Sequence, residues 1–151
     1  MSTMKDKSRR EVSKTLLASK NISITKPRLL LLEILLAQNR PLTVEQVVKL
    51  SKGRIALSSL YRVINDLREL SVIAEFQTPD NIKVIELIGH DDTHHHHIFC
   101  GSCGSVTDFE ITDQLETDLE KEIQKIEDKY ALSVISHSLE LLSLCVRCQE
   151  K

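Results

Sequence analysis

The chain has 151 residues, 41% of them hydrophobic, which excludes a disordered tail and leaves one large domain or two small ones. The net charge of −2 hides an asymmetry: residues 1–80 hold 14 Lys and Arg against 8 Asp and Glu, and residues 81–151 hold 6 against 14, so only the first half attracts a polyanion. The opening MSTMKDKSRREVSKTLL is charged where an export signal needs an apolar core, and no later run approaches the roughly 18 apolar residues of a membrane span, so the expected setting is the cytoplasm with no membrane partner.

The first predicted element is a helix over residues 8–19. A second opens at Lys26-Pro27, where proline fits a helix's first turn, and runs through LLLLEILLAQ. A third follows Thr43, whose hydroxyl can cap it while Gln46, three residues on, reaches back in a Thr-x-x-Gln capping box. The fourth, ALSSLYRVINDLREL over residues 56–70, carries the functional signal. At about 100° per residue, Leu57, Leu60, Val63, Ile64, Leu67 and Leu70 share one arc, while Ser58, Tyr61, Arg62, Asn65 and Glu69 point away. The polar face suits the DNA major groove: Arg grips guanine or phosphate, Ser and Asn bond to base edges or backbone, and Tyr lies flat against thymine methyls. A merely solvated helix face has the same period, so context has to decide. A short third helix, a turn through Lys52-Gly53-Arg54 and then this helix make a helix-turn-helix. The β-rich runs VIAEFQT and IKVIEL follow, separated by Pro79-Asp80-Asn81, and read as a hairpin that completes a winged helix.

All six histidines and all four cysteines fall in the acidic half. Cys100-x-x-Cys103 and Cys145-x-x-Cys148 supply four thiols, which in a reducing compartment suit structural, tetrahedral Zn²⁺. A dithiol redox switch and iron held by four sulfurs are the alternatives. In a strand over residues 94–99, His94 and His96 project to one face and His95 and His97 to the other, so one strand serves two metal sites. His90, His137, Glu86, Asp108 and Glu116 are available to complete them, and such mixed sets suit Zn²⁺, Fe²⁺, Mn²⁺ or Ni²⁺. The rival is a flexible His-rich linker that binds metal only adventitiously. A strand over 105–110, a helix over 112–129 and one or two strands within 132–144 form a mixed sheet with one covering helix. Its remaining apolar face invites a second copy of the chain, unless the leucines fill a monomer's core. The expected class is α+β: a winged-helix DNA-binding domain over 1–88, a hinge over 89–93, and a small α/β dimerisation and metal-binding domain over 94–151.

These residues resemble the ferric uptake regulator family across nearly the whole chain. The matching stretches are ITKPR (residues 24–28), LSSLYRVINDL (57–67), HHHHIFCGSCGSVTDFE (94–110) and SHSLELLSLCVRC (136–148). The resemblance implies a homodimeric, metal-dependent repressor with a winged helix, bound to a double-stranded operator. Tyr61 and Arg62 then contact DNA, joined on the reading of the helix face by Ser58, Ser59 and Asn65, and Cys100, Cys103, Cys145 and Cys148 hold structural Zn²⁺. The regulatory Zn²⁺ or Fe²⁺ falls to His95 and His97 with Glu86, and His90, inside the extra IGHDDT loop, is the candidate fourth ligand. A second site falls to His94, His96, Glu116 and His137. One departure is that Arg40, Pro41 and Leu42 stand where iron and peroxide sensors commonly carry a ligating histidine. That argues against a peroxide sensor and favours a zinc-type regulator. Two other classes remain on the sequence alone: a zinc enzyme that activates water, for which no further signature is present, and a metal-storage or chaperone protein, which needs no patterned helix at 56–70. No substrate beyond metal ions is expected.

Overall fold

The computed structural model describes residues 4–88 and 94–150, which divide into two compact units, Met1–Asp92 and Thr93–Lys151. The expected hinge over 89–93, His90 included, lies outside the described residues.

The first unit is built from α1 (Met4–Ser19), α2 (Lys26–Gln38), β1 (Leu42–Thr43), α3 (Val44–Ser51), α4 (Leu57–Glu69), β2 (Ile73–Gln77) and β3 (Lys83–Leu87). Pro27 occupies the first turn of α2, and Asn39 ends that helix in the left-handed region at φ 47°. Both bonds of the capping box form: Gln46 N donates to Thr43 Oγ1 at 3.1 Å, and Thr43 N donates to Gln46 Oε1 at 2.9 Å. Thr43→Ala removes the hydroxyl acceptor and is expected to cost about 1 kcal/mol, lowering the thermal midpoint of this unit by about 4–8 °C in a melt followed by circular dichroism. After α3, Lys52 (φ 51°) and Gly53 (φ 76°) take successive left-handed conformations. That reversal ends α3 before α4 begins, and the positive φ at Gly53 is why glycine stands in the turn.

Leu17, Leu31, Leu32, Leu42, Val47 and Leu60 are fully buried, and with Ile64, Leu67, Ile73 and Ile85 they form one core beneath α4 and the wing. β2 and β3 pair antiparallel from Ile73↔Leu87 to Gln77↔Lys83, and β1, which the sequence reading did not anticipate, adds to the other edge of β3. Leu57 departs from expectation. It is 53% exposed, because α4 begins at that residue and its side chain lies beyond the edge of the core. Leu70, just past the helix end, is only half-buried for the same kind of reason.

Ion pairs tie α4 on both flanks. Arg28 on α2, largely buried, donates to the Ser23 carbonyl (2.7 Å) and hydroxyl (2.8 Å) through Nη1 and to Asp66 Oδ2 (3.1 Å) through Nη2. Arg68 and Lys83 each lie 3.6 Å from Glu75 on β2. The first pair joins α4 to α2 and the Arg68–Glu75 pair joins α4 to β2.

The second unit comprises β4 (His96–Cys100), β5 (Val106–Phe109), α5 (Asp113–Tyr130), β6 (Glu140–Ser143) and a short α6 (Val146–Gln149). Its sheet order is β5-β4-β6, with β4 antiparallel to β5 and parallel to β6, so α5 lies within the crossover a parallel pair requires. Thr112 caps α5 through its hydroxyl, which accepts from Leu115 N at 3.3 Å. The expected extended region 132–144 reduces to the four residues of β6, and α6 is an addition. Apolar side chains are left uncovered along this side: Ile135 is 99% exposed, Val146 72% and Leu142 68%. The only hydrophobic residues buried among those described in this unit are Phe99, Cys100 and Val106.

Candidate metal centres and DNA-reading face

The four cysteines converge as free thiols, their Sγ atoms all within 4.8 Å of one another. Each Cys-x-x-Cys pair is bent by a backbone turn. Gly104, at φ 72°, donates to the Cys100 carbonyl at 2.9 Å, and Cys148 N donates to the Cys145 carbonyl at 2.9 Å where α6 starts. Cys145 N in turn donates to Cys100 Sγ at 3.4 Å, joining the two turns. The backbone N–H of Cys103, with those of Cys145 and Ser102, holds the Cys100 thiol down to about 6. The Ser105 hydroxyl and backbone lower Cys103. Cys148 is pulled down by the Ser102 hydroxyl, but the Cys145 thiol, burial and the other two sulfurs outweigh that pull and raise it to about 11. Four sulfurs this close cannot all ionise without repelling one another, and a cation bound by all four would offset that repulsion. The spacing fits: tetrahedral bonds of about 2.3 Å place sulfurs about 3.8 Å apart, and Cys103 Sγ lies 3.8 Å from Cys145 Sγ. No open position remains for a substrate, so the set suits a structural ion.

His94, His96, Glu116 and His137 form a second cluster, again with ligand atoms within 4.8 Å. Glu116, in the first turn of α5, accepts from fully buried His96 (Nε2 to Oε1, 2.7 Å) and from His137 (Nε2 to Oε2, 3.0 Å), and His94 Nε2 lies 3.0 Å from His137 Nε2. Burial raises the Glu116 carboxyl, but the hydrogen bonds from His96 and His137 prevail and hold it below the usual range. Burial, with the imidazoles of His137, His96 and His95, lowers His94 despite the opposing pull of Glu116, which favours the neutral ring a metal requires. His96 Nδ1 accepts the Leu139 N–H at 2.9 Å, so in this arrangement the ring proton sits on Nε2 and is shared with Glu116. A metal held by His94, His96, Glu116 and His137 would need that nitrogen deprotonated.

The third group within this unit lies on the other side of β4. His97 and Asp108 are direct partners across the β4–β5 ladder, so they share a face, and His95 sits two residues before His97 on that same face. Nε2 of His97 is 3.5 Å from Asp108 Oδ1, and Nε2 of His95 is 4.0 Å from Oδ2. The expected alternation therefore holds, although β4 starts only at His96 and the first two histidines precede it. Asp108 was one of several available carboxylates in the sequence; the ladder register singles it out. Glu86 belongs to β3 of the first unit, where its side chain is buried. At the departure from the iron and peroxide sensors Arg40 is exposed and Pro41 and Leu42 are buried, and none of the three offers a metal ligand.

On α4 the expected reading face is accessible. Ser58, Tyr61, Arg62 and Asn65 are exposed, Ser59 is half-buried, and Leu60, Val63, Ile64 and Leu67 face the core.

A winged helix followed by a sheet unit that gathers four sulfurs and two sets of imidazoles and carboxylates defines a class, the metal-responsive DNA-binding regulators. The chain belongs to the ferric uptake regulator family, whose pattern it matches over residues 19–142. It is 33% identical over 134 residues to the ferric uptake regulation protein of Haemophilus influenzae, covering 86% of this chain and 87% of that one. The fold matches the crystal structure of the Vibrio cholerae ferric uptake regulator with a TM-score of 0.69 at 27% identity, covering 87% of this chain and 98% of that one. It also matches the Helicobacter pylori regulator with a TM-score of 0.67 at 23% identity, covering 97% and 95%. Members of the family are metal-responsive transcriptional regulators, not enzymes, which removes the zinc-enzyme alternative. No described helix is long and apolar enough to cross a membrane.

Proposed function

We propose that this chain is a homodimeric repressor that binds a two-fold DNA operator when a regulatory Zn²⁺ or Fe²⁺ ion is bound, and that it controls genes of metal uptake or homeostasis. Cys100, Cys103, Cys145 and Cys148 hold a structural Zn²⁺, which as a closed-shell ion cross-links the two turns without redox chemistry. His94, His96, Glu116 and His137 form the second site. The sensing site uses His95 and His97 with Asp108, and draws a further ligand from the winged-helix unit, for which the resemblance names Glu86; His90, in the loop that is extra relative to the family, is a further candidate. The uncovered leucines and isoleucine on and before β6 support pairing with a second copy, since so many exposed apolar side chains in one small unit call for a cover.

The observation that carries this reading is the His95, His97 and Asp108 set on the first hairpin after the unit boundary. Three ligands from one hairpin leave an effector ion short of a full shell, and a ligand from the preceding unit ties the posture of α4 to occupancy. Two recognition helices held at one spacing match a two-fold operator, whereas freely swinging ones bear an ordering cost first. An ion shifts that equilibrium only by its differential affinity for the two postures, with each tenfold gain in operator affinity corresponding to about 1.4 kcal/mol. Arg40, Pro41 and Leu42, none of which ligates a metal, stand where iron and peroxide sensors commonly carry a histidine, and this supports a zinc-type regulator over a peroxide sensor.

The test is a mobility-shift titration with chain that retains its four-cysteine zinc. Operator affinity should rise at least about tenfold on adding Zn²⁺ or Fe²⁺. His97→Ala should abolish that rise without altering the zinc retained under mild chelation. Equal affinity with metal and with chelator would defeat the proposal. A storage protein would take up metal with no salt-sensitive binding to duplex DNA at all.

A further inference from the structure

The first turn of α4 leaves an apolar side chain exposed beside the helix's polar face. Leu57 is the helix's first residue and 53% exposed, although its neighbours on the heptad, Leu60, Val63, Ile64 and Leu67, all lie in the core. Tyr61, four residues on and 44% exposed, stands one turn away on the same side, so the two form a short apolar strip along the helix. Exposed Ser58, Arg62 and Asn65 flank it.

Resting on the DNA-reading function proposed above, we propose that Leu57 extends the Tyr61 surface into a strip that reads the C5 methyl groups of two thymines in each half-site. The N-terminal turn of the second helix in a helix-turn-helix is the part that meets base edges. Among the four bases, thymine alone projects a methyl group into the major groove, while the others offer donors and acceptors that a leucine cannot use. The charge around the strip fits the same occupant. Exposed Lys52 and Arg54 precede it in the turn, Arg62 adjoins it, and residues 1–80 carry six more basic than acidic side chains. A protein partner is the poorer fit, because two apolar side chains bordered by a guanidinium, an amide and a hydroxyl fall far short of a docking patch.

The test uses the full-length, zinc-replete chain with added Zn²⁺. A duplex is selected from a randomised pool and then resynthesised with each thymine replaced singly by uracil, which deletes the methyl and nothing else. The wild-type chain should lose about fourfold in affinity at each of two neighbouring positions per half-site. Leu57→Ala should bind the thymine and uracil forms equally at one of those positions while keeping the discrimination at the other, and Leu57→Met should retain both. Thermal midpoints of the variants, compared with the parent, confirm that the winged helix is folded. If the wild-type chain tolerates uracil everywhere, or if Leu57→Ala keeps the parent's thymine preference at both positions, the inference is overturned. A chain that enriches no duplex overturns instead the DNA-reading function on which it rests.

Discussion

Cys100→Ser in the full-length chain is expected to abolish the folded state of the second unit and leave the first intact. The reason is the small core of that unit. Among its described residues only Phe99, Cys100 and Val106 are buried hydrophobics, β6 is exposed along three of its four residues, and α5 buries none of its side chains. A unit of this size with so little apolar burial needs a staple, and structural zinc sites in other small domains supply about 10 kcal/mol or more. Serine removes one ligand from a set that has no spare. It also removes the sulfur that accepts the Cys145 N–H and so joins the two turns. A scanning calorimetry trace should show two transitions for the parent chain and only that of the winged helix for the variant. Metal analysis after mild chelation should find one zinc fewer per chain. A variant that keeps both its tightly held zinc and its second transition would show that the four cysteines do not hold the unit together. The same experiment separates the redox alternative, since a switch that rests as a dithiol would keep its fold without metal.

The contrast between the two units explains what the sequence disclosed. In the first, nearly every element answers to a local rule. Thr43 and Gln46 stand at capping-box spacing, Lys52 and Gly53 mark the reversal before α4, and the period of α4 separates Leu60, Val63, Ile64 and Leu67 from Ser58, Tyr61, Arg62 and Asn65. Local rules fail at the edges. Leu57 satisfies the helical period yet lies outside the core, because a helix's first turn can overhang the surface it packs on. The two-residue β1 carries no periodic signal and forms only because β3 leaves an edge for it. In the second unit the metal-binding residue types were legible as motifs, but their grouping depended on register. Asp108 joins His97 because β4 and β5 pair as His97↔Asp108, which neither run of residues announces. The region 132–144 looked like one or two strands because leucine and β-branched residues are frequent there, and it reduces to the four residues of β6. Leu139, Leu141, Leu142 and Leu144 are exposed, and composition does not say whether an apolar face is covered by the same chain or by another.

Two substitutions on α4 should separate its two faces by the quantity each one moves. Leu67 is fully buried in the common core, and Leu67→Ala is expected to destabilise the first unit by about 2–5 kcal/mol. Against a total stability of about 5–15 kcal/mol, that loss lowers the thermal midpoint by on the order of 10–30 °C. At 25 °C the surviving folded fraction should bind its operator with unchanged sequence preference, because the exposed face of the helix is untouched. Arg62, on that face, has no packing to lose, and Arg62→Ala should leave stability within about 0.5 kcal/mol of the parent. Its operator affinity should fall about 10-fold to 100-fold if the guanidinium grips a guanine edge. The salt dependence then reports which contact was lost. A base contact relaxes preference at one position and leaves the slope of affinity against salt unchanged. A phosphate contact weakens all sequences alike and reduces the slope by about one. Should Arg62→Ala instead melt the unit while Leu67→Ala changes only operator affinity, the faces of α4 would be assigned the wrong way round, and the winged helix could not present this surface to DNA.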